Sequence, residues 1–299
     1  MESALAVAYV RAFNTAGFVT VKLDTKTGAL DVQSRTVRPD GAEMIESLPS
    51  EPFKRMAAQT AKHAVLRYIH DLEREKVMRD VAEHKGELAS GVVDRIEAGT
   101  VFVDLGRIEG VMPPEEQIPG EQLHPGKPVL VVILEAQRNP RQAQVRVSRA
   151  ARSFVHRLLE AEVPEVKGGT VQIKSIAREP GLRTKVGVAS TEPGLDPVGA
   201  CVGPKGIRHR AILSELGNEH VDIVPWSDDA EVFVAASLGP AKADRVSIDR
   251  ATRTATVLVP RGQLSLAIGR DGQNARLAAK LTGFRIDIKP SETDDEVAP

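Results

Sequence analysis

Two short segments near the C-terminal end carry the residues best suited to chemistry. The first runs Ala200-Cys201-Val202-Gly203-Pro204-Lys205-Gly206-Ile207-Arg208 and the second Leu266-Ala267-Ile268-Gly269-Arg270-Asp271-Gly272-Gln273-Asn274. Each reads as a small apolar helix, a Gly-x-x-Gly loop and a second helix with an apolar stripe. The paired glycines let the chain turn tightly and remove the Cβ atoms that would block a phosphate. A helix that starts at the loop turns its free amide donors and the positive end of its dipole toward an anion. Lys205 and Arg270 add a mobile positive charge. The chemistry this suits is non-covalent, a grip on the sugar-phosphate backbone of RNA.

One Gly-x-x-Gly is usually an ordinary turn; its duplication is the specific signal. Gly203 to Gly269 is an offset of 66 positions, and the same offset carries Gly217 onto Gly283. A strand pattern follows each, His220 to Val224 and Arg285 to Lys289, now at an offset of 65. Two alternating segments precede each loop: Thr170 to Ile176 with Lys185 to Ala189, and Arg245 to Ile248 with Ala255 to Val259. Each copy therefore predicts helix, strand, strand, helix, loop, helix, strand. The plain alternative is a duplicated α+β unit whose glycines only cap helices, but a cap needs one glycine and not two at this spacing.

The candidate RNA-binding set is Gly203, Pro204, Lys205, Gly206, Ile207, Arg208 and Arg210 in the first copy, and Gly269, Arg270, Asp271, Gly272, Gln273, Asn274 and Arg276 in the second. Arg208, Arg210, Asn274 and Arg276 flank the loops as contacts to phosphate or base edges, and Ile207 and Ile268 would floor a base groove. Asp271 places a negative charge beside the phosphate path, so the first loop is expected to hold backbone at least as strongly as the second.

Other elements must position these loops. Glu2 to Phe13 predicts a helix with Leu5, Tyr9, Ala12 and Phe13 roughly on one face. Phe18 to Leu23 and Leu30 to Arg35 read as a hairpin, followed by a polar loop to about Pro52. A long helix from about Phe53 to His84 repeats Ala57, Ala61, Val65, Ile69 and Leu72 in steps of three and four, and its second half is highly charged, as in helices that bridge domains or face solvent. From Gly86 come five short strands: Glu87 to Arg95, Thr100 to Leu105, Ile108 to Met112, Val129 to Gln137 and Gln144 to Ser148. This spacing predicts a small OB-type barrel. Phe102 is its single aromatic, either a stacking ring or a core residue. A helix from Phe154 to Val163 leads into the first repeat. The link Trp226-Ser227-Asp228 is short enough that the repeats should pack as one body, with Trp226 as an anchor between them.

Composition limits the function classes. A chain of 299 residues holds two or three domains. Its 40 basic and 41 acidic residues balance, so only their distribution is informative. Residues 168–290 carry 17 Lys and Arg against 13 Asp and Glu, while Ser291 to Pro299 has four acids and no base and reads as a solvated tail. Arg138, Arg141, Arg146, Arg149 and Arg152 form an acid-free run, either a polyanion-facing patch, in which Arg138 and Arg141 could serve the barrel, or a solvated face. The single cysteine, Cys201, permits no internal disulfide and suits a buried apolar role in a reducing cytoplasm. No apolar run reaches the length of a membrane span, and the N-terminus lacks a signal pattern. Aromatics at 3% argue against a sheet that stacks bases on rings and suit a fold that grips backbone. There is no Walker-type loop and no His-Glu-x-x-His. Asp228, Asp229 and Glu231 look like a helix N-terminal turn. The expectation is therefore no catalytic residue, no metal and no cofactor.

These residues resemble a known family. Gly86-Glu87-Leu88, Val101 to Gly106 and Glu109-Gly110-Val111 are similar to an S1-type OB fold, and the repeats resemble tandem prokaryotic-type KH domains. With Glu162 to Val166, Ala177 to Gly181, Asp196 to Gly203, Val221 to Val224 and Leu264 to Leu277, the chain resembles the NusA family of bacterial transcription factors over residues 1 to 290. The resemblance implies a multidomain α+β chain: an N-terminal helix and hairpin domain (1–84) that docks on RNA polymerase, an S1 barrel (85–150), two KH domains (151–226 and 227–290) and an acidic tail (291–299). It implies single-stranded nascent RNA and RNA polymerase as partners, with other elongation or antitermination factors, and effects on pausing, termination and antitermination. Against the family pattern, the chain starts inside what looks like the first long helix, and no acidic repeats follow. The rival readings are an RNA-processing protein and a ribosome-associated RNA binder without polymerase contact.

Overall fold

The computed structural model describes residues 2–15, 18–24, 27–37, 43–137 and 144–291, apart from the side chains at 70, 71, 73–78, 80–82 and 137. The chain divides into two compact units, residues 1–79 and 80–299.

In the first unit, helix α1 (Glu2–Phe13) buries Leu5 and Tyr9, one turn apart, while Phe13 stays 42% exposed. Strands β1 (Phe18–Leu23), β2 (Leu30–Val37) and β3 (Glu43–Leu48) form an antiparallel meander. Strand β3 occupies part of the expected loop. Its residues Glu43 to Ser47 are all exposed, so backbone pairing to β2 holds it and no apolar alternation betrays it. Phe53 packs edge-on to Tyr9 at 5.0 Å, and Leu5, Tyr9, Val21, Val32, Phe53 and Ala57 make the core. Helix α2 (Lys54–Glu83) joins that core through Ala57 and Ala61, but Val65, Ile69 and Leu72, the rest of its apolar stripe, are exposed.

The second unit opens with a closed barrel of β4 (Leu88–Glu97), β5 (Thr100–Asp104), β6 (Glu109–Met112), β7 (Pro128–Gln137) and β8 (Gln144–Ser148), in the order β4-β5-β6-β8-β7. All pairs are antiparallel except β6 with β8. Alternate valines, among them Val93, Val101, Val103, Val131, Val145 and Val147, fill the interior. At Gly91 an added Cβ would lie 2.6 Å from the Asp104 carbonyl oxygen, so glycine permits the wall-to-wall approach.

The two repeats follow. The first is α3 (Arg152–Glu162), α4 (Pro164–Lys167), β9 (Val171–Glu179), β10 (Arg183–Ser190), α5 (Pro197–Val202), α6 (Ile207–Leu216) and β11 (His220–Pro225). The second is α7 (Ala230–Ser237), β12 (Arg245–Asp249), β13 (Thr254–Val259), α8 (Leu264–Ile268), α9 (Gln273–Thr282) and β14 (Arg285–Pro290). Each has a three-stranded sheet whose middle strand pairs antiparallel with the preceding strand and parallel with the last. Asp229 caps α7 by accepting from the Glu231 amide, as its place at a helix start predicts. Phe154 and Leu159 are fully buried in a core that barrel residues Ile118 and Val132 share with the first repeat. Between the repeats, Trp226 packs on Ala177, Val224, Phe233, Leu277 and Leu281, the anchoring place expected of it.

Candidate nucleic-acid interface

The two Gly-x-x-Gly loops have the same backbone. Gly203 and Gly269 have φ/ψ of 72/171 and 75/171 degrees; Gly206 and Gly272 have 73/21 and 71/14. The residue before the second glycine is left-handed in both, Lys205 at φ 53 and Asp271 at φ 51. Each loop closes on itself, the second glycine amide donating to the first glycine carbonyl at 2.9 Å and 3.2 Å. Helices α6 and α9 start directly after the loops, and no side chain caps either start. The first amide of each helix, Ile207 and Gln273, donates back to the Pro204 and Arg270 carbonyls.

The first glycine of each loop has a packing role that the sequence does not suggest. A Cβ at Gly203 would come within 2.8 Å of the Arg208 side chain, and one at Gly269 within 2.7 Å of the Asn274 Cβ and 2.9 Å of its amide nitrogen. The first glycine therefore admits the close approach of the following helix. Its φ/ψ region is essentially open only to glycine.

Residues 83–148 match the family described as S1 RNA binding domain, residues 149–226 the NusA-like first KH domain, and residues 230–296 the NusA-like second KH domain. A Bacillus subtilis (strain 168) protein named transcription termination/antitermination protein NusA is 41% identical over 98% of this chain and 85% of its own length. The chain belongs to the NusA family. Proteins of the same name from Mycobacterium tuberculosis and Thermus thermophilus are 40% and 41% identical, over 97% and 85% of this chain and 86% and 66% of their own.

Within this NusA-type pair of KH loops, the flanking side chains divide by what they touch. Pro204, Lys205 and Ile207 are exposed, Ile207 by 60%, and no carboxylate pairs with Lys205 among the described residues. Arg210 is exposed and donates to the Lys205 carbonyl at 2.6 Å. Arg276, its counterpart 66 positions on, donates to the Asp271 carbonyl at 3.2 Å. Arg270 is 95% exposed and lies 3.7 Å from the Asp271 carboxylate.

Other members of the expected set do structural work instead. Asn274 is 1% exposed, and its amide donates to the Leu238 and Ala267 carbonyls at 2.9 Å and 3.0 Å. It fastens the loop from behind. Arg208 donates to the Ala200 carbonyl at 2.6 Å and pairs with Glu165 at 2.8 Å, so most of its charge is already matched. Gln273 donates to Glu179 at 3.1 Å. Cys201 is buried, and burial pushes its thiol up to about 11, as an apolar role requires. Ile268 is 38% exposed beside the second loop.

The arginine run does not form a polyanion patch in its described part. Arg146 pairs with Glu115 and Glu116 at 3.1 Å and 2.9 Å. Arg149 is 2% exposed and pairs with Glu121 and Glu215 at 2.8 Å and 2.6 Å, tying barrel to first repeat. Arg138 and Arg141 lie outside the described residues. Phe102 is not core. It sits half-buried on the outer wall with the Arg95 guanidinium 3.9 Å above its ring. Arg95 is held in turn by Glu109, Asp94 and Glu97, which raise its pKa further.

Sequence reading missed the polar links behind the interface. Arg178 and Glu219, 1% and 0% exposed, pair at 2.8 Å, and Glu219 also accepts from Thr184 and the Gly181 amide. Lys185, also fully buried, donates to Asp222 and to the Gly239 carbonyl of the second repeat, each at 3.0 Å. Burial lowers the Lys185 pKa against the pull of Asp222. The partners of Arg178, Thr184 and Lys185 lie 27 to 54 residues away in sequence, so no local pattern signals them. Among the described residues no group of His, Cys, Asp or Glu could hold a metal ion, and no helix is long and apolar enough to cross a membrane.

Proposed function

We propose that single-stranded nascent RNA lies across both Gly-x-x-Gly loops while the N-terminal unit contacts RNA polymerase. In this reading the chain is a non-enzymatic, cytoplasmic factor that modulates pausing, termination and antitermination, in keeping with the name its relatives carry. One observation carries the RNA reading: two loops of matching backbone, each opening an uncapped helix. Gly203 to Ile207, Arg210 and Gly269 to Gly272 face the RNA. Asn274 supports the loop from behind, Arg208 acts mainly inside the fold, and Phe102 is already covered by Arg95. Residues 1–84 would serve polymerase, 85–150 form the barrel that connects the ends, and 151–226 and 227–290 hold RNA, with 291–299 as a tail. Binding to polymerase and RNA together raises the local concentration of each, so modest affinities suffice.

The test is binding of single-stranded RNA across a salt series by the native chain and by the Pro204→Asp, Lys205→Asp, Arg270→Asp variant. A marked loss with a salt slope shallower by roughly 0.7 per lost phosphate contact is expected. Unchanged binding by a folded variant sinks the loop assignment. Co-elution of the full chain with RNA polymerase, followed by a pausing assay, tests the polymerase contact. Copurification with ribosomal subunits and not polymerase would favour the ribosome-associated reading.

A further inference from the structure

Helix α9 leaves the second loop and presents Gln273, Arg276 and Lys280 along one face, spaced three and four residues apart. All three donate to one carboxylate of the other repeat, Glu179 at the end of β9. Arg276 holds it with two bonds, Nε to Oε1 at 2.7 Å and Nη2 to Oε2 at 3.0 Å; Gln273 donates at 3.1 Å and Lys280 at 3.3 Å. The same Arg276 donates its remaining branch to the Asp271 carbonyl inside the loop. Glu179 is therefore two hydrogen bonds from the second loop's backbone. On its own side, Glu179 adjoins Arg178, whose buried pair with Glu219 anchors the strand end. Among the described residues nothing equivalent faces the first loop. The positions matching Gln273, Arg276 and Lys280 are Ile207, Arg210 and Ser214, and Arg210 has no carboxylate partner among the described residues.

The apolar contact around Trp226 is non-directional, and the Lys185 bond to the Gly239 carbonyl fixes the repeats at one point. A carboxylate taking two bonds from one guanidinium is directional. We infer that Glu179 is a positioning residue that sets the second loop at a fixed distance and angle from the first, so that one RNA strand is gripped at both loops together. This rests on the RNA reading above. The carboxylate offsets one of the two positive charges of Arg276 and Lys280 and leaves the other beside the second loop.

The experiment has an arm without RNA. In the full chain, spin labels at Ser214→Cys on α6 and Arg270→Cys in the second loop, with buried Cys201 left unlabelled, report the distance between the first repeat and the second loop. The native protein should give a narrow distribution and Glu179→Gln a broader one. The exchanged pair Glu179→Arg with Arg276→Glu should restore the narrow form, which a general loss of folding would not. An unchanged distribution in Glu179→Gln overturns the positioning role. In the second arm, Kd is measured for one oligonucleotide long enough to reach both loops and one that reaches a single loop. Linking two contacts gives the long RNA its advantage, and in Glu179→Gln that advantage should fall by about five- to tenfold. An advantage that stays intact overturns the inference. If native protein binds the two RNAs equally, the RNA reading fails, while the distance arm still decides the role of Glu179.

Discussion

The first and second repeats share a backbone and differ in where they put charge. At the third position of the loop the first carries exposed Lys205, with no carboxylate partner among the described residues, and the second Asp271, which lies against Arg270. Three positions after its helix begins, the first leaves Arg210 in solvent and the second binds Arg276 to Glu179. The sheets reverse the contrast. Strand registers align Arg178, Thr184 and Glu219 of the first repeat with Ile248, Ala255 and Phe284 of the second. The buried ion pair of one unit is thus an apolar cluster in the other, where Ile248 and Phe284 pack against the core. One backbone tolerates both solutions because the fold needs volume and satisfied polar groups at these positions, and two different residue sets supply them. The lesson is a division of labour. The first repeat is stiffened inside and charged outside, whereas the second is apolar inside and electrically muted at its loop.

The largest effect should come from breaking the buried pair. Glu219→Ala leaves Arg178 charged and buried and should cost roughly 3–5 kcal/mol in denaturant unfolding. Replacing all three residues by those of the second repeat, as Arg178→Ile, Thr184→Ala and Glu219→Phe, should recover most of that loss, since an apolar set often replaces a buried pair without penalty. A single variant within about 1 kcal/mol of native would show that the pair is dispensable.

Next is the loop's first glycine. Alanine at either position is forced into a backbone region that costs on the order of 1–3 kcal/mol. Gly269→Ala should be worse than Gly203→Ala. The new Cβ meets the Asn274 Cβ and backbone nitrogen at 2.7 Å and 2.9 Å, whereas at Gly203 it meets the more flexible Arg208 side chain at 2.8 Å. Thermal unfolding of the two variants side by side checks the order, and equal losses would mean that dihedral strain alone decides.

A smaller effect separates the loops by charge. Lys205→Asp should weaken RNA binding about tenfold, close to 1.4 kcal/mol, and lower the salt slope by roughly 0.7. Asp271→Lys should strengthen binding and steepen the slope by a similar step. If the two changes move neither affinity nor slope, the phosphate path does not cross these loops.

These contrasts explain what the sequence can and cannot convey. The loops, the order of elements and the barrel strands are local patterns, spelled by glycine spacing and by alternation as in Val101 to Val103, so they are legible. Strand β3 is not, because Glu43 to Ser47 have no buried face and pair with the β2 backbone from solvent. Arg149 looks like a surface cation since its partners Glu121 and Glu215 lie 28 and 66 residues away. Asn274 sits in the motif and so reads as a contact. Its true partner, the Leu238 carbonyl, is 36 residues upstream. Glu179 is the clearest case. Its ligands are 94 to 101 residues distant, and only the packing of two repeats brings them together.

The smallest expected effect is the one that tests this long-range link by pH. The Arg276 guanidinium, ahead of Gln273 and Lys280, holds the Glu179 carboxyl down to about 2, from an ordinary value of 4.5, against the opposing effect of burial. A carboxylate depressed by folding contributes fully above its ordinary value and loses that contribution as pH falls through its folded value. The link to α9 should therefore persist at pH 6 and disappear between about 4.5 and about 2. Amide hydrogen exchange along α9 reads this directly. Protection in the native chain should exceed that in Glu179→Gln at pH 6, and the difference should close across that window. Asp249, at the matching position of the second repeat, is the control. Its pKa is also lowered, but by the Thr252 hydroxyl and then the Ala251 and Thr252 amides of its own turn. Asp249→Asn should leave α9 exchange unchanged at every pH. If it alters α9 as much as Glu179→Gln does, the protection reflects overall stability, and the two carboxylates do not differ in the way their partners indicate.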